Sequence, residues 1–244
     1  MCKEYLPQRS SPSLSLPPPW NRICSFSTTS LAASLVMGNN SGTMEIVRMR
    51  VYYDFASTLC YVAHHVLSEI EQQIAELDVE LEWRPIDLTM AAPWARGDSF
   101  REEIRTAVRN TGRSLGLDVE MPDPWLDSRP ASVVALMAPS AGAEARWRRE
   151  VFDSIFTRKT PGLTPELREL AKELVGLDSL PDEEQGFHRV EESTREALAL
   201  GVTGVPTILL DTCLFGGIYD GDSMISILRQ LSQQYRELGT SAVN

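Results

Sequence analysis

The stretch "GVTGVPTILLDTCLFGG" (Gly201 to Gly217) follows a long run of helical spacing and breaks it. Two segments rich in β-branched and apolar residues flank Asp211-Thr212, which predicts an antiparallel hairpin with a short turn. From about Asp222 the spacing becomes helical again, with Met224, Ile225, Ile227, Leu228 and Leu231 on one face. The chain therefore ends as strand, strand, helix.

Working outward, the mirror of this ending lies far upstream. "MEIVRMRVYYDF" (Met44 to Phe55) alternates and is rich in β-formers, so it reads as a strand. Leu59, Val62, Ala63, Val66, Leu67, Ile70 and Ile74 recur at three- and four-residue intervals, which predicts one helix from Leu59 to Ile74. "DVELEWRPI" (Asp78 to Ile86) alternates again and stops at Pro85. Strand, helix and strand with short connections imply a right-handed βαβ unit with parallel pairing.

A helical block separates the two halves. Ser99 and Glu102 have capping-box spacing, and Phe100, Ile104, Ala107 and Val108 share a face beyond them. Further helices are expected over Ala131–Ala138, Glu144–Phe156, Pro165–Val175 and Asp182–Leu200. Thr164 reads as an N-cap with Pro165 at the first helical position, and Gly201 as a stop. The predicted class is α/β, with a core from 44–90 and 202–244 and a helical insertion over 91–201.

Residues 1–43 differ from the rest. They are rich in Ser, Pro and Thr, hold Glu4 as their one acid, and show no sustained periodicity. They read as a disordered tail or an upstream start with Met44 opening the folded part, and a targeting peptide is the alternative.

Bulk numbers narrow the partners. A net charge of -11 argues against nucleic acid or an anionic membrane surface, because like charges repel. No apolar run reaches the ~20 residues of a membrane-spanning helix. The four cysteines, Cys2, Cys24, Cys60 and Cys213, include no C-x-x-C pair and no zinc spacing. With His64, His65 and His188 as the only histidines, no metal site is expected. So few thiols point to a reducing, cytoplasmic setting, with organellar import through 1–43 as the alternative.

Two local signatures and the element order resemble the DsbA-like thioredoxin-fold family over roughly Met44 to Leu238. "DFASTLCYVA" stands where that family carries its C-x-x-C and following aromatic residue, and "GVTGVPTILL" resembles its "G-V-x-G-V-P-T" segment with a cis proline. The resemblance implies a thioredoxin-like fold with a helical insertion between the βαβ and ββα halves. Ser57 then occupies the first motif position and Cys60 the second. Thiol–disulfide exchange needs a thiolate attacking sulfur, so a two-cysteine cycle between these positions is excluded.

The isomerase branch of the family, the 2-hydroxychromene-2-carboxylate isomerases with the kappa-class glutathione transferases, carries serine there. By that resemblance the Ser57 hydroxyl and the helix start hold the thiolate of bound glutathione. A helix N-terminus offers an anion about 0.3–1 kcal/mol. A hydrogen bond to a charged acceptor adds roughly 1.5–3 kcal/mol, and together these bring a thiol from about 8.5 to near 7. Read without the resemblance, Ser57 is simply an N-cap and Cys60 a small buried apolar residue.

The same resemblance assigns Val205 and Pro206 as the other half of the site, where an extended peptide or glutathione's cysteinyl unit would pair with the backbone. Asp54, at the end of the first strand, is either a turn residue or orients active-site water. Asp222 and Ser223 fall where the branch carries a "G-x-D-R" element, here "FGGIYDGDSM", and are assigned to the glutamyl end of glutathione or to capping the last helix. His64 shares a helical face with Cys60, and Trp94 and Trp125 either line a cleft or anchor loops.

Three readings follow. The first is an enzyme that uses bound glutathione or a similar thiol for isomerase or transferase chemistry on an apolar electrophile. The second is a monothiol redox protein acting through Cys60. The third is a peptide-binding, holdase-like protein without turnover. A homodimer is compatible with each.

Overall fold

In the computed structural model, the described residues are 46–160, 162–175 and 183–241; the expected tail over 1–43 and the start of the expected helix at Asp182 lie outside them. Strand β1 (Val47–Tyr53) leads through Asp54–Ser57 into helix α1 (Thr58–Glu69), the short α2 (Glu71–Ala75) and strand β2 (Val79–Pro85). Helices α3 (Glu102–Ser114), α4 (Arg129–Met137), α5 (Ala141–Phe152), α6 (Pro165–Val175) and α7 (Glu183–Ala199) follow. Strands β3 (Thr207–Leu210) and β4 (Cys213–Gly216) and helix α8 (Gly221–Ser241) close the chain. Among the described residues the sheet has four strands, ordered β2-β1-β3-β4.

Strand β1 shows how sequence alternation sets the sheet. Val47, Met49 and Val51 are buried on one face, while Arg48 and Arg50 point away. Parallel pairing sets Arg48 opposite Glu80 and Arg50 opposite Glu82, with ion pairs at 3.0 and 3.5 Å. Strand β3 runs antiparallel to β1, with Tyr52 opposite Thr207, and returns through Asp211-Thr212 into β4. Leu67, Ile70 and Ile74 join Met224, Leu228 and Leu231 of α8 against the buried sheet face. A second cluster joins Tyr53, Phe55 and Cys60 to Val134, Trp147, Val151 and Phe152 of the inserted helices. Trp147 is fully buried and its indole N–H donates to the Ala131 carbonyl at 2.8 Å.

Several boundaries differ from the sequence reading. The expected helix over Leu59–Ile74 is two pieces, because Ile70 (φ -106, ψ 14) leaves helical geometry and packs against Gly221 at the head of α8. Ser99 and Glu102 do not form a capping box. Gly97 N–H donates to the Trp125 carbonyl and Trp125 N–H to the Asp98 carbonyl, at 2.9 and 2.8 Å. That pairing precedes an extended Arg101, so α3 begins only at Glu102 without a side-chain cap. The apolar face expected on α3 is largely open, with Ile104 39% exposed and Gly112 its buried residue. Helix α5 starts earlier than expected, at Ala141 behind the N-cap Ser140, and ends in a π-helical turn over Asp153–Thr157.

Candidate functional site

The β1–α1 junction is built around Asp54. Its fully buried carboxylate accepts the Ala56 N–H and the Ser128 hydroxyl on Oδ1, at 2.8 and 2.6 Å, and the Leu88 N–H on Oδ2, at 2.8 Å. Burial is the main influence on this group and lifts its pKa from 3.8 to about 6, against the pull of its three donors. The Asp54 carbonyl accepts the Ser57 N–H at 3.0 Å. Asp54 is therefore a structural brace that fixes the turn leading into Ser57, and no water role is required of it.

Ser57 is the N-cap of α1. It has extended geometry, and its Oγ accepts the Cys60 N–H at 3.3 Å. The hydroxyl proton meets no oxygen or nitrogen acceptor among the described residues; the neighbouring Cys60 sulfur is the group within its influence. Nor do the Thr58 and Leu59 N–H groups meet backbone acceptors among the described residues, as expected for the first turn of a helix. One hydroxyl and two amide donors thus converge at the positive end of α1.

Val205 and Pro206 sit against this turn. The Val205–Pro206 peptide is cis. Pro206 is buried and Val205 half-buried, and Val205 packs on the clusters that hold Ala56, Cys60 and Tyr52. Ala56 and Cys60, which bracket Ser57, thus share apolar clusters with Val205. Among the described residues no hydrogen bond engages the Val205 N–H or C=O. Trp94, Phe100 and Trp125 form a trio of edge-on rings, with centroids 5.4 to 5.8 Å apart, in the cluster that includes Ala56 and Val205.

Cys60 does not have the setting of a reactive thiol. It is fully buried among Tyr53, Phe55 and Phe152. Burial pushes its thiol up to about 12, outweighing the Ser57 hydroxyl and the backbone contact with Asp54 that act the other way. The thiolate is the nucleophile in such chemistry, so this setting does not favour the monothiol reading or a catalytic role for Cys60. The side chain fills core space instead.

Asp222 and Ser223 are also placed away from Ser57. The cap at the start of α8 is Asp220, which accepts the Ser223 N–H at 2.9 Å and the Ser223 hydroxyl at 3.1 Å. The Ser223 N–H is the leading reason that Asp220 ionises below the usual carboxylate range. Gly221 beside it abuts Ile70, which lies about 20 Å along α1 from Ser57 at 1.5 Å per residue. Asp222 is exposed. Neither capping by Asp222 nor contact of either residue with Ser57 is present.

His64 belongs to a buried network that sequence spacing does not reveal. Tyr53 Oη donates to Glu144 at 2.9 Å, Arg148 Nε donates to both Glu144 oxygens at 3.0 and 3.3 Å, and Arg148 Nη1 reaches His64 Nδ1 at 2.7 Å. Burial, then the Arg148 charge, lowers the His64 pKa to about 3, so its ring is neutral and Nδ1 is the acceptor. Arg148 also lies 3.8 Å over the Trp83 ring. Burial and Glu144 hold the Tyr53 phenol protonated, well above 10. This network ties β1, β2 and α1 to α5. Ser128 was likewise missed: it stands before Arg129-Pro130 at a helix start, but nothing in its spacing points to a carboxylate 74 residues away.

Comparison with known proteins matches this architecture. A search of curated protein sequences finds no match. Among solved structures, 2-hydroxychromene-2-carboxylate isomerase superposes with a TM-score of 0.58 at 20% identity, covering 78% of this chain and 97% of its own. A probable DsbA oxidoreductase from Streptomyces coelicolor gives 0.57 at 21% identity, covering 76% and 89%. At these identities the likeness is one of fold. The profile of the DSBA-like thioredoxin domain matches residues 48–231, and the chain belongs to that family.

Proposed function

We propose that this chain is an enzyme that binds a thiol, most simply glutathione, and holds its thiolate against the Ser57 hydroxyl and the Thr58 and Leu59 amides. The observation that carries the reading is the Ser57 hydroxyl. It spends a lone pair on the Cys60 N–H and has only the Cys60 sulfur near its proton, while that cysteine, the only one in the motif, is too deeply buried to react. Family members include oxidoreductases and an isomerase by name, and serine at position 57 favours the latter kind of chemistry.

The thiolate would add its electron pair to the electrophilic carbon of a conjugated C=C bond, forming a C–S bond as the π pair moves onto the conjugated carbonyl oxygen. Re-forming the C=C bond with loss of the thiolate gives an isomerisation; taking a proton from water onto the adduct's carbon gives a transfer. The Trp94, Phe100 and Trp125 rings beside Val205 favour an apolar second substrate. The unengaged Val205 N–H and C=O suit the cysteinyl backbone of glutathione, and equally an extended peptide.

Calorimetry with reduced glutathione tests the reading. Binding at millimolar concentration or tighter is expected, and its absence removes the proposal. Ser57→Gly separates holding from capping. Glycine costs only a few tenths of a kcal/mol at an N-cap. Losing a hydrogen bond to a charged sulfur, by contrast, weakens binding by about 10- to 150-fold.

A further inference from the structure

We infer that residues 98–124, carrying α3, form a rigid flap that must swing aside to admit ligands to Ser57. The first ground is closure. Ser57 is 6% exposed, and Ala56, Thr58 and Pro206 are buried. Phe100, Met121 and Trp125 pack in the cluster around Ala56. The Thr58 hydroxyl donates to the Glu120 carbonyl at 3.5 Å, a long bond. These groups cover the turn that carries Ser57.

The second ground is that the segment is braced within itself. Arg105, Arg109 and Arg113 occur every fourth residue on α3 and meet Asp123, Glu120 and Asp118 of the returning arm, at 2.6, 3.8 and 3.0 Å. The order is antiparallel, so the three pairs fasten the arm along the helix. At the far turn, Gly112 lets the arm come close: a Cβ there would meet Val119 Cγ2 at 2.3 Å and the Leu117 carbonyl at 2.9 Å. Helix and arm are therefore one body.

The third ground is how lightly that body is attached. At its base the chain is closed by the two backbone bonds between Gly97-Asp98 and Trp125. Gly97 there has φ +87, the left-handed region that favours glycine. Helix α3 buries little beyond Gly112. Few buried contacts mark a segment that opens before the sheet does.

The gate rests on the reading of Ser57 as the ligand position, and its test uses no glutathione, so the two can fail separately. A thiol probe is placed at the site in the full chain by Ser57→Cys, with Cys60→Ala to prevent a disulfide between positions 57 and 60. Modification of the introduced thiol is followed by mass spectrometry with iodoacetamide and with the bulkier fluorescein maleimide. The expected result is a rate that levels off with rising reagent at one ceiling shared by both, the opening rate. Adding Gly112→Ala, which wedges the arm from the helix, is expected to raise modification at least tenfold with the far-ultraviolet circular dichroism unchanged.

Rates proportional to reagent throughout and indifferent to Gly112→Ala would overturn the gate. So would access only through global unfolding in urea. If the Ser57→Cys variant does not fold, amide exchange of the unsubstituted protein decides. The Gly97 and Trp125 amides, whose bonds close the base of the segment, should exchange faster than those of β1, and exchange in step with β1 overturns the proposal.

Discussion

Replacing Ser128 by alanine should destabilise the protein in a way that depends on pH. The Ser128 hydroxyl donates to Asp54 Oδ1 at 2.6 Å in a fully buried setting. Asp54 titrates at about 6 when folded, above its ordinary 3.8. A carboxyl raised on folding binds its proton more tightly in the native state, so its ionisation costs stability as pH rises through that range. Two pKa units correspond to about 3 kcal/mol, felt fully above pH 6 and absent below about 4.

Ser128 limits that cost because it donates to the ionised form. Hydrogen bonds to charged groups are worth about 1.5–3 kcal/mol, so Ser128→Ala should move the folded pKa to about 7–8. At pH 8 the variant then loses about 1–3 kcal/mol relative to the parent; at pH 5, where Asp54 is protonated in both, it loses well under 1 kcal/mol. Urea denaturation at the two pH values measures the difference directly. With slopes of about 1–3 kcal/mol per molar, the midpoint gap should widen by on the order of 1 M between pH 5 and pH 8. Equal losses at both pH values would refute the account of Asp54 as an ionisable brace.

Other expectations follow from the buried groups. With its thiol at about 12, Cys60 should react with iodoacetamide about a thousandfold more slowly in the native protein than after unfolding, as followed by peptide mapping; fast native labelling at Cys60 would restore the monothiol reading. Arg148→Met should leave Glu144 buried with only Tyr53 as donor. Breaking such a pair costs about 3–5 kcal/mol, and adding Glu144→Gln should recover part of the loss in thermal unfolding. A double variant no more stable than the single would show that the charge was not the cause.

Much of the core could be read from alternation and spacing. Val47, Met49 and Val51 alternate with Arg48 and Arg50 because β1 has one buried face there, and the turn at Asp211-Thr212 sits between two short apolar strands. Local rules failed where distant backbone took precedence. Ser99 has the right spacing to cap α3, yet the pairing of Gly97 and Asp98 with Trp125 commits the chain beforehand. Ser57 was legible because its neighbours in sequence are also its partners. The carboxylate–serine bond from Asp54 to Ser128 and the Tyr53–Glu144–Arg148–His64 network were not, since their members lie up to 91 residues apart and no periodicity links them. Asp222 and Ser223 lie away from Ser57 for a related reason: no spacing shows that α8 begins beside Ile70.

The closeness of Ser57 to the buried sulfur of Cys60 has a consequence for the conditions in which the protein works. A second sulfur at position 57 would find a partner within reach and, under oxidising conditions, would shut the helix start behind a covalent bond. An oxygen there cannot do so. Under the proposed function, the thiol position would therefore stay available whether its surroundings are rich in oxidant or poor in it.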